Sequence, residues 1–291
     1  NVKTILIFIV ISSFMFASAQ RVGALGGNVG YWADDDNSYT AFPHTINNSN
    51  LAQVAGLGSS NGHNAIVRWG EGTKWGFSWD ESASNDMVNL MWGNGTYGVN
   101  FGLGMGANDD GIAAADGGDG VDATSSMNID IGFGMNMGFG EVGVSFANGS
   151  SDDGDGNDDN DPASTVIGFN LRRAQPVWLF TDMLVSFANY GVAVGDASMG
   201  GMMLGINLYR HFDMSDGVNA MFSLGFGFES SSDDNGVDDP VDGSVMTLPA
   251  ATLAVEADVT DWATVRFGMN HSYVMAGADG DATWTGSAGG D

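Results

Sequence analysis

The sequence predicts an all-β fold, an antiparallel up-and-down transmembrane β-barrel of about 14 strands (12–16), with short periplasmic turns and long acidic extracellular loops. Three observations predict it. Long stretches alternate apolar and small polar residues. The connections between those stretches alternate between short and long. Aromatic and basic residues gather at the short connections, while acids gather at the long ones.

The alternation is clearest at residues 126–137. Met127, Ile129, Ile131, Phe133, Met135 and Met137 occupy one set of positions; Ser126, Asn128, Asp130, Gly132, Gly134 and Asn136 occupy the other. Successive side chains of a strand point to opposite faces, so this segment has one apolar and one polar face. Tyr97–Met105, Val142–Phe146, Val218–Phe228 and Val265–Tyr273 repeat the pattern.

Taken in order, the expected strands cover 53–59, 63–70, 73–80, 86–93, 95–105, 126–137, 139–148, 163–173, 176–188, 199–209, 217–229, 245–257 and 262–275, with a last one near 282–286. Pro249 counts against a paired central strand, because proline has no backbone donor. Short connections are expected near Gly70–Thr73, Gly93–Gly95, Gly138, Ala174–Pro176, Arg210–Asp216 and Asp258–Asp261. Long or acidic ones are expected at 106–125, 148–162, 189–198, 230–244 and from 276 on. In an up-and-down barrel the two kinds fall at opposite ends.

Aromatics flank the short turns: Trp69, Trp75, Trp92, Tyr97, Trp178, Tyr209 and Trp262. Amphipathic rings are favoured at a membrane interface, so these residues are expected to form a girdle. Arg68, Lys74, Arg172, Arg173, Arg210 and Arg266 share that end. Strands of ten or more residues, tilted, suffice to cross an outer-membrane apolar band of about 25 Å. A secreted β-sandwich also alternates, but it has no need of this division of aromatics and acids between its two ends.

Composition narrows the class. The chain has 291 residues, with 36 Asp and Glu against eight Lys and Arg, a formal charge of −28. So acidic a chain lacks the basic footprint of a nucleic-acid binder. The glutamates are Glu71, Glu81, Glu141, Glu229 and Glu256; every other acid is Asp, a turn and loop former. Cysteine is absent, so there is no disulfide framework. No stretch after the N-terminus is long and apolar enough for a spanning helix. Residues 1–19 read as a signal peptide: Lys3, an apolar run from Ile5 to Phe16, then Ala17-Ser18-Ala19. The expected organisation is a signal peptide over 1–19, an N-terminal plug or periplasmic segment over 20–51, and a barrel over 52–291 whose C-terminus is expected to be truncated. The expected location is the bacterial outer membrane.

Residues 20–52 do not follow the strand pattern. They carry Arg21, Ala24-Leu25-Gly26-Gly27, Ala33-Asp34-Asp35-Asp36-Asn37, Phe42-Pro43 and Asn50-Leu51-Ala52. This order resembles the mature N-termini of FadL-type and PorV-type transporter barrels, with their R-x-x-A-L/M-G-G stretch, A-D-D patch and N-P-A-x-L segment. Phe42-Pro43-His44 stands where Asn-Pro-Ala is expected. The resemblance implies that residues 20–50 fold into the barrel as a plug. An ordinary periplasmic tail is the other reading.

The inward-facing positions include Asn100, Asn128, Asp130, Asn136, Asn170, Asn207, Asn219, Ser223, Arg266 and Asn270, with few apolar ones such as Met203, Met221 and Val274. Small polar linings leave room for water and suggest a path for polar solutes. Asp153, Asp155 and Asn157 invite a calcium reading, since calcium takes oxygen ligands. The EF-hand order fails, with Asp158 at its glycine and Ser164 at its glutamate, so a solvated loop with loosely bound calcium at most is expected. The four histidines show no zinc spacing, and no nucleophile–base motif or nucleotide fingerprint appears. The sequence thus points to a non-enzymatic channel for small solutes in a lipid bilayer. A FadL-like transporter of apolar compounds, or a structural barrel with cation-binding loops, are the alternatives.

Overall fold

The computed structural model describes residues 17–55, 64–80, 87–108, 124–152, 161–234, 236, 240–278 and 287–289. Of the expected signal peptide only Ala17–Ala19 fall within these, at the start of helix α1 (Ala17–Ala24). Gly26 and Gly27 follow the helix at φ +97° and +81°, a conformation that glycine adopts without penalty, and the chain turns there. Three short 3-10 segments come next: Val29–Tyr31, Asp36–Thr40 and Pro43–Asn48. The side chains of Asn28 and Asp35 cap the first two by accepting from the backbone N–H two residues on.

The rest is one antiparallel sheet in which every strand pairs with its neighbours in sequence. Its strands are β1 (Leu51–Ala55), β2 (Asn64–Trp69), β3 (Lys74–Asp80), β4 (Val88–Gly93), β5 (Tyr97–Asn108), β6 (Thr124–Met137) and β7 (Gly140–Asp152). They continue as β8 (Ala163–Val177), β9 (Phe180–Val194), β10 (Ala197–Ser215), β11 (Val218–Asp234), β12 (Val241–Thr260), β13 (Ala263–Ala278) and the three-residue β14 (Ser287–Gly289). β1 and β14 are the sheet's two ends, and no ladder joins them among the described residues.

Several expected boundaries need correction. Ala174–Pro176 is not a turn: β8 runs through it, and the chain reverses at Trp178-Leu179. The ladder shifts register between Ala174 and Val177, so Pro176 sits in a bulge where its missing donor breaks no pairing. Pro249 is accommodated in the same way, within the register shift between Thr247 and Ala250 of β12. Arg210–Ser215 continues β10, paired to β11, and the turn is Asp216-Gly217. Polar residues there are no turn signal, because Tyr209 and His211 point inward to partners. The expected acidic loop at 189–198 is a two-residue turn, Gly195-Asp196, with Gly195 at φ +58°. A glycine at positive φ suits a tight hairpin. The alternation of short and long connections therefore fails once, at β9–β10.

The sheet is curled around the N-terminal segment. Asp36 holds Arg68 of β2, while its neighbour Asp35 holds Arg21, which holds Glu256 of β12. Along a flat sheet β2 and β12 lie ten steps apart, about 48 Å at the usual strand spacing of ~4.8 Å. These five side chains, joined through the backbone of Asp35-Asp36, close that gap, so the two strands face each other across the interior. The core lies inside this curl: Leu25, Tyr31, Trp32 and Phe42 of the segment pack on Leu184, Tyr209, Met221 and Ala254 of the sheet.

Candidate functional site: the inner face and its N-terminal filling

The side of the sheet that touches the segment is the polar side. Ladder pairing places Asn100, Asn128, Asp130, Asn136, Asn170, Asn207, Asn219, Arg266 and Asn270 on it. Several of these hold the segment itself. Asn270 donates to the Gly26 carbonyl at 3.1 Å, and Asn170 reaches the Ala41 carbonyl at 3.4 Å. Asn100 donates to Asp130 at 3.1 Å. The other side carries the large apolar residues, among them Phe101, Ile131, Phe133, Phe146, Ile167 and Phe267, all exposed.

Of the expected girdle, Trp69, Trp75, Tyr97, Trp178 and Trp262 lie exposed beside the short turns, Trp178 at 91% and Trp262 at 83%. Trp92 pairs with Trp75 on the same side. Tyr209 does not belong to the girdle. It points inward, is 3% exposed, and meets the Tyr31 ring at 5.1 Å. The parity of β10 puts it there, opposite Ser223 and Asp182. Asp153, Asp155 and Asn157, the calcium candidates, lie outside the described residues.

Glycine makes the close approach possible. A Cβ on Gly98 would lie 2.1 Å from the Pro43 carbonyl oxygen, and one on Gly143 would lie 2.0 Å from that of Ala41. The alternating glycines of β5 and β7 thus form the seat of the Pro43–Asn48 helix and the residues before it.

Charge locks the segment in place. Arg21 binds Asp34 at 3.1 Å, Asp35 at 3.3 Å and Glu256 at 3.0 Å, and Arg266 shares Glu256 at 2.5 Å. Burial opposes the Arg21 charge, but the bonds and fields of Glu256 and Asp34 outweigh it, and its pKa is raised. Arg68 binds Asp36 at 2.7 Å. Glu141 bridges His44, at 3.1 Å, and Arg172. Arg172 also donates to the Gly30 carbonyl at 3.1 Å and lies over the Phe42 ring at 4.5 Å. His211 meets the Tyr31 carbonyl at 2.9 Å. Burial raises the Tyr31 pKa, and the neighbouring Ser223 hydroxyl partly offsets this.

The charged contacts with the segment lie near the short turns, around a cavity of about 500 Å³ bordered by Arg21, Tyr31, Glu141, Arg172 and Glu256. Towards the opposite end the inner face stays open. One cavity of about 500 Å³ is lined by Ser145, Asn170, Ser186, Met203, Glu229 and Thr247 among others. Another of about 300 Å³ lies between β1 and β7, beside the 3-10 segment Asp36–Thr40. The sequence alone does not single out Leu184, Asn89, the inward role of Tyr209, or the pairing of Arg68, Glu141 and Arg172 with the segment. Strand parity could have marked these positions as inward, Tyr209 included, but no local signal marks their partners. No protein-family model matches the chain, and neither a curated protein nor a solved structure does.

Proposed function

We propose that this chain closes into an outer-membrane β-barrel that lets small polar solutes pass, with residues 20–50 as a plug at its short-turn end. The observation that carries this reading is the contrast between the two faces of one sheet. Large apolar side chains cover the outside, from Val67 on β2 to Tyr273 on β13, far beyond the few hundred Å² a soluble monomer exposes. Small polar residues line the inside. β5 to β13 run 12 to 20 residues, enough to cross the apolar band of an outer membrane. In such a membrane the outer residues meet lipid and the exposed tryptophans sit at the interface.

A FadL-like role for apolar compounds is the second reading. It is favoured by one observation, the N-terminal segment seated inside the curl, as the resemblance of Arg21, Ala24-Leu25-Gly26-Gly27 and Ala33-Asp34-Asp35 implies. The open cavity lined by Ser145, Asn170, Ser186 and Thr247 favours polar solutes instead. Purified protein in planar bilayers is expected to give stepwise conductance, and liposomes carrying it are expected to take up small polar solutes. A protein that inserts, gives no conductance and admits no solute contradicts the transport reading. Uptake confined to apolar compounds supports the second.

A further inference from the structure

We propose that the open cavity lined by Val166, Ala188, Met203, Glu229 and Val245 binds an amphipathic amine, a primary ammonium on a short apolar body. The inference deepens the transport reading and rests on it for the route by which the solute arrives; binding itself is tested separately.

The first observation is an apolar row on the inner face of the open half. Ladder pairing sets Gly168, Ala188, Met203, Glu229, Val245 and Ala276 in line across β8 to β13. Val166 lies two residues from Gly168 on the same face. Strand parity turns the row inward: Asn170, Leu184, Tyr209 and Met221, which touch the N-terminal segment, share its parity on their strands.

Inward apolar residues near the short turns have an occupant. Leu184, Met221 and Ala254 are covered by Leu25, Tyr31, Trp32 and Phe42. Val166 and Met203 have no such cover and stay exposed. Apolar surface inside a water-filled path is unfavourable, and an apolar ligand body removes it from water. Gly168, Gly205 and Gly227 keep the space beside the row free of side chains. The cavity measures about 510 Å³, within the roughly 300–1,000 Å³ of small-molecule sites.

The second observation is charge. Glu229 is the one charged side chain on the cavity wall among the described residues. Its cross-strand neighbours are Met203 and Val245, neither of which carries a charge. The Tyr190 hydroxyl donates to one carboxylate oxygen at 3.2 Å, a neutral partner that leaves the negative charge in place. The basic residues of the strands, Arg68, Lys74, Arg172, Arg173, Arg210 and Arg266, all sit at the short-turn end. A carboxylate on a low-dielectric wall draws cations. An ammonium group brings a positive charge and three N–H donors to its remaining lone pairs. Calcium takes six to eight oxygen ligands, whereas this wall offers one carboxylate. A carboxylate-headed solute meets repulsion there.

The test is calorimetric titration of the full-length protein in detergent, with the heat of protein-free micelles subtracted. Hexylamine is the probe; like the lysine side chain, it is charged at neutral pH. 1-Hexanol and hexanoate keep its body and change its head, whereas methylamine keeps the head and removes the body. Hexylamine is expected to bind more tightly than all three, with methylamine weaker by about tenfold or more. Glu229→Gln is expected to weaken hexylamine binding about tenfold and to erase its advantage over hexanol. Met203→Ser is expected to weaken it about fivefold and to keep the preference for the ammonium head. Circular dichroism and gel mobility report whether each variant folds, and the ligand series on the native chain tests the proposal without any variant. Hexanol, hexanoate or methylamine binding as tightly as hexylamine overturns it, as does hexylamine binding unchanged in both folded variants. Hexylamine binding in a protein that gives no conductance upholds the site and removes only the transport reading.

Discussion

The two halves of the inner face solve opposite problems with the same strands. Near the short turns the segment occupies much of the interior: Leu25, Tyr31, Trp32 and Phe42 pack on Leu184, Tyr209, Met221 and Ala254, and two salt bridges, Arg21 with Glu256 and Asp36 with Arg68, tie segment to sheet around a remaining cavity of about 500 Å³. Towards the acidic loops the same alternation of Gly, Asn and Ser leaves room, and Glu229 meets only the Tyr190 hydroxyl among its described bonds. The difference teaches that small inward residues have two uses. Gly98 and Gly143 admit the backbone of residues 41–44, whereas Gly205, whose Cβ would have 3.5 Å to its nearest neighbour, borders open space.

Removing residues 20–50 breaks the comparison most completely, since it empties the half that the segment occupies. Single-channel conductance is expected to rise severalfold; an unchanged conductance contradicts the plug. Next in size is Arg172→Ala. Breaking a buried ion pair by removing one partner costs about 3–5 kcal/mol, and here it strips Glu141 and the Gly30 carbonyl together. Protease access to the N-terminal segment is expected to increase while the sheet's circular dichroism stays the same. A segment as protected as in the native chain contradicts the role given to Arg172.

How much of this was legible in sequence follows from where the information lies. Ser126–Met137 reads as a strand with assigned faces because parity is local, and the ten polar inward positions expected from sequence share one face of the sheet. The seat of the segment is not local. Nothing near Leu184 or Tyr209 says that their partners are Leu25 and Tyr31, more than a hundred residues away. The sequence pattern puts Tyr209 in the girdle because an aromatic near a turn looks alike whichever way it points. Gly195-Asp196 was hidden in an acidic stretch, since a tight turn and a long loop draw on the same residue types.

Smaller changes sharpen the contrast. Gly143→Ala forces the Ala41 carbonyl to move and is expected to cost about 1–3 kcal/mol by thermal unfolding. Gly205→Ala, on the same face in the open half, is expected to stay within about 0.5 kcal/mol. Equal effects of the two substitutions erase the distinction between halves. The smallest expected change belongs to Glu229→Gln. It removes one inward charge of the open half and is expected to shift the reversal potential in a salt gradient slightly towards anions, with unitary conductance nearly preserved. No shift in that potential places Glu229 off the solute's path.

The central claim is that one face of this sheet meets lipid and the other meets water. The chain has no cysteine, so each residue from Ser126 to Met137 can be replaced singly by cysteine and spin-labelled without background. In proteoliposomes the labels' collisions with oxygen, which concentrates in lipid, and with a water-soluble nickel chelate are then compared by electron paramagnetic resonance. The account predicts a period of two: high oxygen access at 127, 129, 131, 133 and 135, and low oxygen access at 126, 128, 130, 132 and 134. Nickel access as high at Ile131 and Phe133 as at Asn128 contradicts it.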